Sequence, residues 1–424
     1  MNECGQGGIL IRMDTMYRET SIPRLRADLN IIPVSYQGRR AFVVRDALGM
    51  IEKPVLLQGE ALELIGLIDA RKSLRDIQLE LIRQRKGSFV SFEEVAQVFA
   101  ELDSLYLLES DRYHLEKKRI MTAYERLKVR PAALKGKAYP DSPEMLREFM
   151  ESILNRDDAC VPIKPDKKPR ALVSPHIDLA VGRKVYACAY NAVRDMKPEY
   201  VVLLGTGHSL ADSFYSLTEK DFETPLGIVR TEKEWAGALK SAHSRAVASN
   251  DFAHRTEHSI EFQLVFLQHL FGSGFTLLPV LCGSFQEVLP TSDSAGDIPA
   301  VRDFLHSLRS LINEHSEETL IVAGVDFSHI GFKFGHEKPA SVTMPGAENH
   351  DRALIDALCR GDARRFWGGV KQLGNRYNVC GFSCLASLME LLPGTKGKCL
   401  DYHFWNEEAT QSAVSFAAAV LFGG

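Results

Sequence analysis

The chain has 424 residues and a formal net charge of −4 at pH 7, with 45% hydrophobic and 25% charged residues. This is the balance of an ordinary globular protein, not of a collagen-like, disordered or coiled-coil one, and at roughly 150 residues per domain the length allows two or three domains. With no excess of positive charge to hold a phosphate backbone, nucleic acid is not the expected partner.

The N-terminal stretch MNECGQGGILIRMD holds no apolar run long enough for a secretory signal. No apolar run anywhere approaches the ~20 residues of a membrane span, so the expected location is cytoplasmic. A first module over 1–130 opens on an extended pair, Asn30 to Tyr36 and Arg40 to Arg45 around a Gln37-Gly38 turn. Apolar residues three and four apart then predict helices over Gly59 to Asp69, Leu74 to Gln84 and Phe92 to Leu105. Short strands at Leu105 to Leu108 and Arg112 to Leu115 would complete a small α+β winged-helix-like domain. Its third helix carries Glu93, Glu94, Glu101 and Asp103, which repel phosphate and argue against DNA. By element order the module resembles the PqqD-like modules that hold peptides for radical SAM enzymes, which implies a docking or peptide-binding role.

Segment 128 to 143, KVRPAALKGKAYPDSP, is expected as a linker because three prolines and a glycine interrupt the helical pattern. Chemistry-bearing residues concentrate beyond it: twelve of thirteen histidines and seven of eight cysteines follow residue 130. Without a CxxC pair or an HExxH motif, the common zinc-ribbon and zincin readings fall away. The scattered cysteines read as reduced thiols.

The second domain, 131–424, alternates short β-rich runs with longer helical stretches, the pattern of a largely parallel α/β sheet. Four runs stand out: RALVSPH, YVVLLGTGH, FTLLPVLCG and ETLIVAGVDFSH. Three end in histidine, at His176, His208 and His329. Ligands bind outside the carboxyl ends of strands in such sheets, so convergence of these rings predicts a site. Imidazoles with one anionic ligand commonly hold a divalent ion. Candidates for that anion are Asp326, Glu261 and Cys380, the last just ahead of a helix over Phe382 to Leu391 whose positive end would favour a thiolate. His258 and Glu261, three apart on a helix, are expected to share a face, with Glu261 receiving a proton or orienting His258.

The motifs SPH at 174–176, LGTGH at 204–208, EHSIE at 257–261, DFSH at 326–329 and CG at 380–381 resemble, in that order, those of the MEMO family. The likeness runs from about Lys135 to the AVSFAAAVLF near the end. It implies an α/β/α sandwich similar to class III extradiol dioxygenases, with His176, His208 and Cys380 as metal ligands. His329 would be the acid/base position, and Asp326 and His258 would line the same pocket. It also implies a place in the AmmeMemoRadiSam system, with a radical SAM protein and an AMMECR1-like protein as partners. LGTGHS lacks the second histidine usual in the family, Asp178 follows His176 closely, and Cys384 stands where a proline is frequent. Asp178 could add a carboxylate at the rim, and Cys384 a thiol on the face of Cys380.

These readings together predict a mononuclear site for Fe(II), with Cu or Zn as alternatives because thiolate suits softer ions. The reaction expected is dioxygenase-like redox chemistry on a small-molecule or peptide substrate, with His329 moving a proton. A thiolate in place of the extradiol carboxylate argues against ring cleavage itself. The rivals are a metal-dependent hydrolase and a non-enzymatic metal-binding or docking component.

Overall fold

The computed structural model describes residues 20–46, 48–51, 53–156 and 168–423. The stretch read for export, Cys4 and Cys160 lie outside them. The chain divides into two compact units, Met1–Tyr124 and Glu125–Gly424.

In the first unit, β1 (Leu29–Tyr36) pairs antiparallel with β2 (Arg39–Asp46). Gln37 and Gly38 both take positive φ, 50° and 73°, the left-handed pair that matches a two-residue turn to strand twist. A third strand, β3 (Val55–Leu57), pairs with β2; three residues are too few to show an alternation in the sequence. Helices Glu60–Ile65, Leu74–Gln84 and Phe92–Ser104 follow. The second and third start in capping boxes built by Ser73 with Asp76 and by Ser91 with Glu94, each cap contributing about 1 kcal/mol. Their apolar stripes, including Ile77, Leu81, Val95 and Phe99, close the core over Val44 and Leu57.

The hairpin expected after the third helix is not formed among the described residues, so the structure does not show the winged-helix arrangement. Leu107 and Leu108 are both fully buried, but no strand forms around them. Leu108 makes only an isolated bridge to Leu25. Ser110 then opens a helix, Asp111–Glu125, its hydroxyl accepting from the Tyr113 amide, and Arg112–Leu115 lies within that helix.

The second unit holds one sheet of β4 (Val129–Arg130), β5 (Pro169–Ser174), β6 (Tyr200–Thr206), β7 (Tyr215–Leu217), β8 (Asp221–Thr224), β9 (Gly227–Thr231), β10 (Thr276–Cys282), β11 (Thr319–Gly324), β12 (His329–Gly331), β13 (Lys396–Glu407) and β14 (Ser412–Phe422). Its middle, in the order β5-β11-β6-β10, is parallel. Ser174, Gly324 and Gly205 share a row of the register, and Thr206 lies beside Cys282, so four carboxyl ends line one edge. The four runs read from the sequence are these four strands. Antiparallel β14 extends the sheet from β5 and carries β12 and β13.

Alternation along β6 sends Val201 and Leu203 to one core and Val202 and Leu204 to the other. Helices Arg183–Asn191 and His258–Phe271 cover the first face, and Pro299–Glu314 and Phe382–Leu391 the second. The architecture is the expected α/β/α sandwich with a mostly parallel sheet. Segment 128–143 is no free linker: β4 pairs with β8, and Arg130 and Tyr139 are buried. Among the described residues no helix is long and apolar enough to cross a membrane. Cys282, Cys359, Cys380, Cys384 and Cys399 are free, but Cys188 is disulfide-bonded; spacing in so long a chain carries no pairing signal to reveal this.

Candidate metal centre

The ends of β5 and β6, which flank β11, deliver the first two rings. The His176 amide donates to Asp326 Oδ1 at 3.0 Å, and its Nδ1 donates to the Gly324 carbonyl at 2.9 Å. A carbonyl only accepts, so Nδ1 carries the proton and Nε2 keeps its lone pair. For His208 the same service comes from Glu257: Oε2 accepts the backbone N–H at 3.0 Å, and Oε1 lies 3.0 Å from Nδ1. His258 opens the helix His258–Phe271, and its Nδ1 lies 3.2 Å from Oε1 of the same Glu257. Glu257 caps that helix by accepting from the Ser259 amide at 3.0 Å. One ring nitrogen from each of His176, His208 and His258 lies within 4.8 Å of the other two.

Cys380 completes the cluster, with Sγ 3.4 Å from His176 Nε2 and 3.5 Å from His208 Nε2. Its loop is tied to the one after β11: the Cys380 amide donates to Phe327 O at 3.0 Å and the Gly381 amide to Asp326 O at 2.8 Å. Glycine is required at 381, because a Cβ there would stand 2.6 Å from Val325 Cβ. Ligands about 2.0 Å (N) and 2.3 Å (S) from a tetrahedral ion lie about 3.5 Å from each other. The two measured separations fit an ion seated between these atoms.

Electrostatics set the protonation that an ion must displace. Burial pushes the Cys380 thiol above its ordinary range, with His208 opposing only in part. The thiolate expected from the helix terminus is therefore not formed by that terminus alone; binding a metal ion must release the proton. Burial, with help from the neighbouring rings of His258 and His208, holds His176 well below the usual imidazole range. For His208 burial is outweighed by Glu257 and Cys380, which raise it well above that range. Glu257 is held well below the carboxylate range, burial being overcome by His208 and His258. Burial raises the Asp326 carboxyl to about 7 despite the amides of His176 and Ile177.

His329 stands at the start of β12, beyond the end of β11. Its amide donates to Tyr377 O at 2.8 Å and its Nδ1 to Phe327 O at 3.1 Å. Burial lowers it to about 4 against that bond, which leaves a neutral ring with a free Nε2 lone pair near pH 7. With His208 and Cys380 it lines a cavity of about 820 Å³, while His176 lies beneath, 2% exposed. Another cavity, of about 420 Å³ over His243, His306 and Glu390, shares no residue with the cluster.

Other expectations fail locally. Glu261 is not brought to the site: its carboxylate receives the Arg130 guanidinium, the Tyr139 hydroxyl, and the amides of Ala133 at 3.0 Å and Leu134 at 2.8 Å. Three residues of helix rotate a side chain by roughly 60° from its neighbour, enough to aim Glu261 away from the ring of His258. Asp178 is exposed, and its Oδ1 accepts from the Ala180 amide in a turn. Cys384 is 1% exposed, with Sγ 3.8 Å from Thr206 Oγ1. The residue missed altogether is Glu257. An acid immediately before a helical apolar run is a capping signal, and its place one residue before His258 would have put it beside the rings.

Residues 130–420 match the family model described as Memo-like protein. Among the relatives, a MEMO1 family protein of Aquifex aeolicus (strain VF5) is 31% identical over 384 residues, covering 90% of this chain and 96% of its own. The MEMO1 family protein TTHA0924 of Thermus thermophilus is 28% identical over 357 residues, covering 82% of this chain and 99% of its own. Both alignments are longer than the unit Glu125–Gly424 and so reach into the first. Among solved structures, an uncharacterized protein from Escherichia coli K12 matches at 12% identity and a TM-score of 0.37, over 60% of this chain and all of its own, a likeness too low to assign a fold by.

Proposed function

Because the chain belongs to the Memo-like protein family, we propose that it is a metal-dependent redox enzyme whose ion is held by His176, His208 and Cys380, with His258 in reach as a further ligand. The observation that carries this is the convergence of Cys380 Sγ with two Nε2 atoms at 3.4 and 3.5 Å, each ring being fixed through its Nδ1 so that Nε2 faces the thiol. Two imidazoles and a thiolate suit Fe(II), with Cu and Zn as the rivals. A bound Fe(II) supplies redox chemistry and open coordination positions.

The chain's own residues do the rest. Glu257 and the Gly324 carbonyl orient the rings, the large cavity receives the substrate, and His329 Nε2 takes a proton from a substrate hydroxyl. Asp326 positions the His176 backbone through its amide. The partners assigned are the radical SAM protein and the AMMECR1-like protein of the same system, with the first unit as the docking or peptide-binding module. A hydrolytic reading is favoured by one observation, the near-tetrahedral spacing that zinc adopts, in which His329 would serve as base to a bound water.

Elemental analysis of anaerobically purified protein decides between them. Stoichiometric iron with O2 consumed on a catechol-like substrate is the expected result. Stoichiometric zinc with esterase or amidase turnover would replace the redox reading by the hydrolytic one.

A further inference from the structure

The cavity above the cluster is lined by His208, His329 and one full cation, Arg376, and by no aspartate or glutamate. A wall of this composition favours an anion. Arg376 is exposed yet forms no ion pair among the described residues; its guanidinium lies 5.4 Å over the Tyr377 ring. It also borders a neighbouring cavity of about 450 Å³ that Glu337 and Lys338 line, and Glu337 is not paired with it.

The loop that presents Arg376 is held at both sides. Gly374, Asn375 and Asn378 all take positive φ, between 50° and 57°. Asn375 Oδ1 accepts from the Val379 amide at 2.9 Å, and Asn378 Nδ2 donates to His329 O at 3.3 Å and Phe334 O at 3.2 Å. The Arg376 carbonyl accepts from His336 Nε2 at 2.8 Å, because His336 Nδ1 is occupied in accepting the Gly331 amide. The next carbonyl, of Tyr377, receives the His329 amide. The backbone that carries the guanidinium is thus bonded directly to the residue assigned to move the proton. The loop is thus held in place, and the guanidinium it presents at the cavity wall is exposed.

We infer that the substrate is a small molecule bearing a carboxylate, which Arg376 receives at the cavity wall while the reacting end faces His208, Cys380 and His329. The inference rests on reading the histidine cluster as the reacting centre. A carboxylate is preferred to a phosphate because, although a guanidinium can pair with either, no other full cation lines this cavity to share a second negative charge.

The test is calorimetric titration of the full chain with benzoate, benzamide and phenyl phosphate, before and after chelation of metal, with thermal unfolding to verify the fold of each preparation. Benzoate is expected to bind about tenfold or more tighter than the isosteric but neutral benzamide, and tighter than phenyl phosphate, with or without metal. Arg376→Gln should abolish the preference over benzamide, and Arg376→Lys should keep part of it. The inference is overturned if wild-type protein binds no benzoate, if Arg376→Gln keeps the preference, if phenyl phosphate binds tighter than benzoate, or if the preference vanishes with the metal. An Arg376-dependent preference in protein that never carries metal would leave this inference standing and remove the metal reading. Loss of metal in a His176→Ala variant, with benzoate binding indifferent to Arg376, would do the reverse.

Discussion

Glu257 and Glu261 lie one helical turn apart, and both are buried, at 4% and 0% exposure, yet they face different tasks. Glu257 holds His208 and His258 and caps the helix they border, while Glu261 closes an internal ion pair with Arg130 beneath two backbone amides. A buried carboxylate is therefore not by itself a sign of chemistry. Its partners decide: the imidazoles of the cluster in one case, a guanidinium with all three nitrogens engaged in the other. Arg130 also links the two regions, since it donates to the carbonyls of His254 and Glu257.

That contrast can be broken from either side, and the largest effect is expected at Glu261. Glu261→Gln leaves Arg130 charged and buried without its counter-ion, which costs roughly 3–5 kcal/mol. Urea unfolding should show this loss, while metal per folded protein stays within about twofold of wild type. A comparable loss on metal binding would mean that the two regions are not separate.

A somewhat smaller effect follows from His254, fully buried with Nε2 donating to Ser216 O at 3.0 Å. Burial lowers its folded-state value to about 4, from an ordinary 6.5. The unfolded chain then binds the proton more readily, so this contribution to stability is complete above pH 6.5 and is lost as pH falls from 6.5 toward 4, on the order of 3 kcal/mol. Denaturant midpoints measured across that window should fall with pH in wild type and more shallowly in His254→Gln; parallel slopes would contradict the assignment.

Glu257→Gln is expected to act mainly on the ion. Loss of an orienting carboxylate behind a ligand typically weakens metal affinity by roughly 10–100-fold, to be read by competition with a chromophoric chelator. A change below twofold would place Glu257 with Glu261 among groups that only support the fold.

The strand-end histidines were legible because a parallel sheet must put the carboxyl ends of its strands along one edge, so RALVSPH and YVVLLGTGH located His176 and His208 without any contact being known. Cys380 was legible through the MEMO resemblance and its CG motif, while the role of Gly381 became visible only with the Val325 side chain behind it. Glu261 misled because helical spacing puts two residues on roughly one face but leaves them about 60° apart, and Arg130, far away in sequence, captured the acid. The short apolar run Leu105–Leu108 misled because two adjacent leucines buried at a helix end look like a strand when the chain reversal between helices is unknown. Arg376 carried no signal at all: an arginine in a polar loop is ordinary until the absence of acids on the cavity wall is seen.

The central claim is that the ion is held by a thiol and two strand-end imidazoles, and its most direct test is metal stoichiometry in anaerobically prepared wild type, His176→Ala, His208→Ala and Cys380→Ala, beside His329→Ala. Wild type and His329→Ala should each carry about one equivalent of metal, and the three ligand variants should carry almost none. Full metal retained by all three ligand variants would contradict the account.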